Sequence, residues 1–398
     1  MRRRRLGLTA PACLALAMAA ASCGGGSDGG SGGGTVTIGV ITPLTGGAAA
    51  YGIGIWQGVQ LAVQEINDNG GITVAGKKYQ LRAKSCDDEF TASQGVQCGR
   101  RLASRDGATM IFSASSVTAF PLMAFNEKSP KFILMAIANG PSFTAQGNKL
   151  VVRMINDLSQ TVPRWVGELQ NYFKAKNLTV KSAAVLKVNT EYGASWTTAF
   201  DKAWKGNGGT VPGIAGYDTN ATDYTNQLVS LLKRKPDAIV LTTTCEPTAL
   251  AIKQARQMGF KGVFLSASSC SGGKQLTANV PGSLVGTFLS EAVPSAFRTT
   301  PGVEKFETAF KAKYGSLPNG PAAGASHQGV KWFSQAVQKA GTTKDLAAIH
   351  GAFDDALGGL GDDNLFSVKS YDPATGNIEM SMKVGITSPA GELKAFPE

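Results

Sequence analysis

The chain alternates short, continuous apolar runs with longer segments in which apolar residues recur at helical spacing. Residues 36–41 form the first such run. The segment behind it carries apolar residues at Ile55, Val59 and Ile66 and stops at Gly70-Gly71. Parallel strands need crossover connections, which are usually helices, so this alternation is typical of βαβ units. The sequence therefore predicts an α/β protein with parallel sheets.

The alternation starts twice, from about residue 35 and again from about residue 158. Long helical patterns and further strands close the chain, at residues 303–314, 322–340, 365–371 and 378–386. We therefore predict two doubly wound lobes, an N-terminal one of residues 35–155 plus 292–364 and a C-terminal one of residues 156–291 plus 365–398. Open α/β sheets bind ligands at the carboxyl ends of their strands, so a cleft between the lobes is expected.

Two local patterns in the first lobe predict exposed structure. Residues 79–83 alternate between apolar and polar side chains, as a half-exposed edge strand does. The acidic cluster Asp87-Asp88-Glu89 is interpreted as a solvated loop rather than as paired catalytic acids.

The N-terminus has the pattern of an export signal. Arg2–Arg5 precede a short apolar run at residues 14–21, which is too short to span a bilayer. Residues 1–22 are predicted to be a signal peptide that resembles the bacterial lipoprotein signal, with Cys23 as the acylated anchor. Residues 23–34 are predicted to be a flexible Gly/Ser tether. The alternative is an ordinary secreted protein in which Cys23 is incidental.

Composition argues against several functional classes. The net charge of +11 includes four leader arginines, and the remaining surplus is dispersed in short basic runs, whereas nucleic-acid binding favours a dense basic stripe with stacking aromatics. His327 and His350 are the only histidines, and no Cys-x-x-Cys spacing occurs, so a metal site is not expected. Outside the Gly/Ser tether, no serine lies in a Gly-x-Ser-x-Gly motif. We predict no cofactor and no enzymatic activity.

Four cysteines remain after the leader and Cys23, namely Cys86, Cys98, Cys245 and Cys270. An even number in an exported chain favours disulfides. We prefer local pairing, Cys86 with Cys98 and Cys245 with Cys270, over the other two connectivities. For Cys245 and Cys270, which follow two neighbouring predicted strands, a pair of free thiols is the alternative.

Several motifs occur in the order found in one known family. They are the segments 37–46 (TIGVITPLTG), 51–52 (YG), 65–72 (EINDNGGI), 86–88 (CDD), 191–193 (EYG) and 255–259 (ARQMG). In these segments the chain resembles the branched-chain amino-acid-binding proteins, type I periplasmic binding proteins that serve ABC importers. The resemblance implies the type I fold with a multi-strand hinge, partnership with an ABC permease and ATPase, and anchoring on the outer face of the bacterial cell membrane.

The segment Ser113–Thr118 joins a predicted strand to a predicted helix that runs to Lys128. Hydroxyls and free N–H groups at a helix N-terminus can bind a carboxylate, so Ser115, Ser116 and Thr118 are candidate ligand-binding residues. The resemblance implies that the Ser116 region and the Ala138-Asn139 loop hold the ligand's amino-acid head. The alternative is that Ser115 or Ser116 only caps the helix.

Other candidate ligand contacts come from both lobes, namely Tyr51, Tyr192, Thr244, Glu246 and Ser268. Relatives commonly have an aromatic contact near Thr244 and Glu246, and an acid near Ser268 that pairs with the ligand ammonium. Ser268 is neutral, which leaves Glu246 as the nearest acid. Either Glu246 substitutes or the ligand is not a free α-amino acid.

The predicted function is capture of a small polar solute for an ABC importer, without making or breaking bonds. The solute is a branched-chain or other amino acid, or a related amide or carboxylate. The alternative is a ligand-sensing receptor domain that reports to a signalling partner.

Overall fold

The fold begins with a mainly parallel sheet. The computed structural model describes residues 32–242, 245–266, 285–290, 301–380, 382–387 and 393–396. The strands of the first sheet are β1 (Gly32–Thr42), β2 (Ile72–Val74), β3 (Lys77–Asp87), β4 (Ala108–Ser113), β5 (Ile133–Ala136) and β6 (Val151–Arg153). Their order is β2-β3-β1-β4-β5-β6, and only β2 is antiparallel to its neighbour.

A second sheet follows the same plan. The remaining strands are β7 (Ala183–Val188), β8 (Ile214–Tyr217), β9 (Ala238–Thr242), β10 (Val263–Ser266), β11 (Val285–Ser290), β12 (Val368–Asp372), β13 (Asn377–Met380), β14 (Met382–Thr387) and β15 (Leu393–Phe396). The second sheet has the order β15-β14-β11-β10-β9-β7-β8, with β14 and β15 antiparallel, while β12 and β13 form a separate hairpin.

Helices connect the strands. In the first half of the chain they are α1 (Ala49–Asp68), α2 (Ala92–Ser104), α3 (Ser116–Met123), α4 (Ser142–Ala145), α5 (Leu158–Ala175) and α6 (Glu191–Gly206). The later helices are α7 (Thr225–Leu232), α8 (Cys245–Gln257), α9 (Pro301–Tyr314), α10 (Pro321–Ala340), α11 (Leu346–Gly351) and α12 (Phe353–Leu357).

Each sheet is buried on both faces, which explains its continuous apolar strands. In β4, Phe112 joins one core of the first lobe and Ile111 joins the core on the opposite face. In β7, Val185 and Leu186 divide in the same way between the two cores of the second lobe. Successive side chains of a strand point to opposite faces, so a run of apolar residues supplies both layers.

Helices α1 and α10 pack closely on one face of the first sheet. A Cβ on Gly58 would lie 2.1 Å from the Ala323 carbonyl oxygen and 2.4 Å from Ser326 Oγ, so only glycine permits this approach. The Ser326 hydroxyl donates to the Ile55 carbonyl over 2.8 Å, which fixes the two helices further.

The chain passes between the lobes after β6, after β11 and after β13. Two of these passages are tied together by Asn156, which lies between β6 and α5. Its Nδ2 donates to the Met380 carbonyl over 3.1 Å, and its Oδ1 accepts from the Met380 N–H at 3.1 Å. This amide bridge forms part of the multi-strand hinge.

The hairpin β12–β13 packs on the first lobe, whereas the sequence analysis assigned residues 365–398 to the second. Tyr371 and Ile378 are buried in the first core, and the Tyr371 ring lies 5.4 Å from the Trp332 ring. The apolar alternation of this segment identified strands but not the surface they cover. The later strands β14 and β15 do join the second sheet.

Two smaller predictions also differ from the structure. β1 begins at Gly32, inside the predicted tether of residues 23–34, because Gly32 pairs with Lys78 through backbone alone. β3, predicted to be an edge strand, lies between β1 and β2. The short β2 covers its outer side.

Candidate functional site

The candidate site lies where the strand order of each sheet reverses. In the first sheet β3 and β4 flank β1, and in the second β8 and β9 flank β7. Ligands of open α/β sheets bind at such switch points, beside the carboxyl ends of the strands. Ser115 and Ser116 follow β4, and Glu191 and Tyr192 follow β7. Helices α3 and α6, which begin at these points, contact each other.

Ser115 and Ser116 present hydroxyls that the rest of the described chain does not use. Ser115 is 8% exposed and Ser116 is 3% exposed, yet neither Oγ has a hydrogen-bond partner among the residues that the structure describes. Ser115 is the N-cap residue of α3, but its side chain makes no capping hydrogen bond. The capping alternative therefore does not account for Ser115. The arrangement offers an anion two hydroxyls and the first N–H groups of a helix.

Thr118 has a supporting position behind these serines. It is fully buried, and its Oγ1 lies 2.7 Å from Ser113 Oγ. Its hydroxyl is therefore engaged inside the turn. Helix α3 ends at Met123, short of the predicted end at Lys128.

The buried side chain of Arg153 fixes the Ala138–Gly140 loop. This fully buried guanidinium donates to the carbonyl oxygens of Ala138 and Gly140, the latter over 2.8 Å, and lies 3.4 Å from the Asp157 carboxylate. Burial lowers the pKa of Arg153 to about 10, while Asp157 and Glu191 oppose that shift. Arg153 is thus a buried cation that fixes two backbone carbonyls.

Arg153 was not among the residues predicted from the sequence. Its signal was a single charge in the apolar run of residues 150–154, where a cation is tolerated only with buried partners. Asn139, which the analysis did single out, is 8% exposed, and its carbonyl accepts from the Leu158 N–H over 3.0 Å. The loop is therefore tied to the start of α5 as well as to β6.

Tyr51 of the first lobe and Tyr192 of the second lie near each other at the candidate site. The Tyr51 hydroxyl donates to the Ala114 carbonyl oxygen over 2.6 Å. Burial raises the pKa of Tyr51, and the nearby Asp88 carboxylate raises it further. Burial also raises the pKa of Tyr192, and the neighbouring Tyr51 phenol adds to that rise. Both phenols stay protonated at physiological pH.

Glu191 contacts the Ala138–Gly140 loop from the second lobe. A Cβ on Gly140 would lie 2.1 Å from Glu191 Oε1, so the carboxylate rests on the glycine backbone. Oε1 accepts from Ser195 Oγ over 2.5 Å. Oε2 is shielded from solvent and has no hydrogen-bond partner among the described residues.

The sequence predicted that the acidic turn after β3 is a solvated loop, and this prediction is wrong for Asp88. Asp88 is fully buried, and its Oδ1 accepts from the Phe90 N–H over 3.0 Å. Burial raises the pKa of Asp88 to about 6. A disulfide between Cys86 and Cys98, with Cα atoms 5.6 Å apart, joins the end of β3 to α2 beside this turn.

The rest of the predicted site is only partly described. Glu246 is exposed in the first turn of α8. Thr244, Ser268 and Cys270 lie outside the described residues, as do the side chain of Cys245 and the proposed anchor Cys23. Within the described part of the chain, no group of three or more potential ligands could hold a metal ion. None of the described helices has the length and apolar content needed to cross a bilayer.

Comparisons with known proteins identify the family of the chain. The periplasmic binding protein family model matches residues 35–388. The leucine-, isoleucine-, valine-, threonine- and alanine-binding protein of Pseudomonas aeruginosa is 26% identical over 343 residues, which cover 85% of this chain and 88% of that protein.

Two solved structures share the fold. The leucine-binding protein LivK of Thermotoga maritima superposes with a TM-score of 0.73 at 24% identity, covering 90% of this chain and 97% of that one. A solute-binding protein of an ABC transporter from Rhodopseudomonas palustris, in complex with 3,4-dihydroxybenzoic acid, gives a TM-score of 0.70 at 20% identity, covering 91% and 96%.

These matches confirm the resemblance that the sequence motifs indicated. The two-lobed architecture is the type I fold of LivK. Proteins of this family bind solutes outside the cytoplasm. The chain therefore belongs to the periplasmic binding protein family, and its fold is of type I.

Proposed function

We propose that the protein captures a small polar solute between its lobes and delivers it to an ABC permease and its ATPase. The observation that carries this proposal is a pair of buried hydroxyls at the start of α3, Ser115 Oγ and Ser116 Oγ, which have no partner in the described part of the chain. A buried hydroxyl without a hydrogen bond costs free energy, about 1–3 kcal/mol. A ligand carboxylate placed there removes that cost and gains the helix N–H groups as donors.

The solute class follows from this chemistry and from the relatives. The Pseudomonas protein is named for five amino acids, and the Rhodopseudomonas structure holds 3,4-dihydroxybenzoic acid. These compounds share a carboxylate. We therefore propose a branched-chain or other amino acid, or a related amide or carboxylate, as the solute. Ala138 and Asn139 border the same space from the next loop, and Tyr51 and Tyr192 flank it.

Closure of the lobes about the hinge completes the function. Binding a ligand between two lobes favours the form in which both contact it. The permease then recognises that closed form, and lipid attachment at Cys23 keeps the protein at the outer face of the membrane. No chemical step on the solute is required.

The test is binding by calorimetry with the Ser115→Ala and Ser116→Ala variants. Each loses one hydrogen bond to a charged group, so affinity for the bound amino acid or carboxylate should fall about tenfold or more. The melting temperature should stay the same or rise, because each variant deletes a buried hydroxyl without a partner. Ser104→Ala, on the exposed end of α2, is the matched control. Unchanged affinity in both site variants would exclude this assignment.

A further inference from the structure

Several buried polar atoms near the cleft lack hydrogen-bond partners among the described residues, and three of them, just after β4 and β7, have chemistry of two kinds. Ser115 Oγ and Ser116 Oγ belong to the first lobe and can donate to an anion. Glu191 Oε2 belongs to the second lobe and can only accept, with a negative charge when ionised. A ligand that satisfies all three therefore carries an acceptor for the serines and a donor for Glu191, and a cationic donor would also neutralise the carboxylate charge.

We propose that Glu191 is the counter-charge for a cationic amine on the ligand. The inference deepens the proposed function and rests on it, because it concerns the same cleft. It assigns to Glu191 the pairing role that the sequence analysis offered to Glu246.

The position of Glu191 supports this assignment. Its neighbour Tyr192 lies near Tyr51. The Tyr51 hydroxyl donates a hydrogen bond to the carbonyl oxygen of Ala114, the residue before Ser115. On its other side, the Glu191 carboxylate rests on Gly140 in the loop that follows β5. Glu191 therefore borders the space that the two serines and the Ala138–Gly140 loop enclose.

The nearest buried cation does not fill this role. Arg153 lies close enough to Glu191 for their charges to interact. Its Nη atoms, however, donate to Ala138, Gly140 and Thr144, and its ion pair is with Asp157. Its Nε has no hydrogen-bond partner among the described residues, so it does not donate to Glu191. Ser195 satisfies only Oε1 of Glu191. A ligand amine would give Oε2 the charged donor that a shielded carboxylate oxygen requires.

Glu246 is a weaker candidate for the same role. It is exposed to solvent at the start of α8, so water already satisfies its charge. An ion pair with an exposed carboxylate contributes little, whereas one with a shielded carboxylate discriminates strongly between ligands that carry a charge and those that lack it.

The test compares amino acids with carboxylates that lack the amine. The purified protein is titrated calorimetrically with L-leucine, L-isoleucine, L-valine, L-threonine and L-alanine, and with 4-methylpentanoate and benzoate. The variant is Glu191→Gln. The control is Asp201→Asn, which removes the same charge from the solvent side of α6, where Asp201 pairs with Lys205.

The expected result is a split between the two probe classes. Glu191→Gln should weaken binding of the preferred amino acid by about 30-fold or more, since a hydrogen bond between charged groups is lost. Binding of the amine-free carboxylates should stay the same or tighten, and Asp201→Asn should bind like the wild type.

Three results would overturn the inference. One is unchanged amino-acid affinity in Glu191→Gln, and another is equal weakening of both probe classes, which indicates a structural role only. The third is a wild-type protein that binds 4-methylpentanoate or benzoate but none of the amino acids, which leaves the proposed solute-binding function intact. A wild-type protein that binds neither class contradicts both proposals.

Discussion

The side-chain amide of Asn156 makes two hydrogen bonds, each 3.1 Å long, with the backbone of Met380. The two residues lie in different segments that connect the lobes. The side-chain amide of Asn156 replaces the backbone of a neighbouring strand, so both polar groups of Met380 are satisfied. This link couples the start of α5 to the residues just before β14. Any change in the angle between the lobes must act on it.

Asn156→Ala should therefore change both stability and ligand affinity. Removing the amide leaves the buried N–H and C=O of Met380 without partners, at a cost of about 1–3 kcal/mol in the free energy of unfolding. Because these groups lie in the hinge, affinity for the solute should change as well. Chemical denaturation and calorimetric titration measure the two effects.

The chain provides a close control in Asn67. Its amide makes the same pair of hydrogen bonds with the backbone of Leu81, each 2.9 Å long, but within the first lobe. Asn67→Ala should lose similar stability without a change in affinity. Equal effects of the two variants on affinity would contradict a hinge role for Asn156.

Gly140→Ala should weaken ligand binding while leaving the unliganded protein stable. The added methyl group must displace the Glu191 carboxylate, whose Oε1 would be 2.1 Å from it. Affinity for the preferred amino acid should fall about tenfold, as expected when one hydrogen bond to a charged group is misplaced. Calorimetry measures the fall. Gly167→Ala in α5 is the control, because nothing lies within 4 Å of its added Cβ. Wild-type affinity in Gly140→Ala would show that the contact with Glu191 is unimportant for binding.

Acid should weaken the fold partly through Glu65. Burial alone would raise the pKa of Glu65, but hydrogen bonds and charges from His327 and Lys331 hold it at about 2. A carboxyl group with a depressed pKa stabilises the fold above its unfolded pKa of about 4.5. That contribution is lost as pH falls from about 5 toward 2.

Glu65→Gln should therefore lower stability at neutral pH and flatten the decline between about pH 5 and pH 2. The effect should be about 1 kcal/mol, since the side chain remains partly exposed and solvent screens its charges. Urea denaturation at several pH values measures it. Glu379→Gln, at an exposed position, is the control. An unchanged pH profile in Glu65→Gln would contradict the pairing with His327 and Lys331.

Cys86 and Cys98 should resist alkylation in denatured, unreduced protein. Their separation of 12 residues closes a short loop, so removing the bond by replacing both with serine should cost about 2–4 kcal/mol of stability. Peptide mapping by mass spectrometry identifies the linked pair. The same map tests the predicted Cys245–Cys270 pair. Alkylation of Cys86 and Cys98 without prior reduction would show that they are free thiols.

Sequence patterns predicted the positions of strands and helices along the chain better than the elements against which they pack. The runs at residues 36–41 and 238–241 are strands, and Gly70 and Gly71 end α1 with positive φ angles of 86° and 79°. In these cases the signal is local, because burial on both faces or a left-handed turn selects the residue type. Placement of β12–β13 depends instead on contacts with distant residues such as Trp332, which periodicity does not encode.

The candidate site shows the same division. Ser115 and Ser116 were predicted because a strand, a hydroxyl pair and a helix follow one another in sequence. Arg153 and the buried state of Asp88 were missed because burial of a charge depends on how separate elements pack. Glu191 was quoted within a motif, but its unpartnered oxygen emerges only when α6 meets the loop at Gly140.

The most direct measurement is equilibrium dialysis of the purified protein against amino acids and small carboxylates, followed by denaturation and mass spectrometry of the released compound. We predict one equivalent of a single solute, recovered chemically unchanged from the wild type and lost from the Ser115→Ala/Ser116→Ala double variant. Recovery of an altered compound, or full retention of the solute by the double variant, would contradict the account.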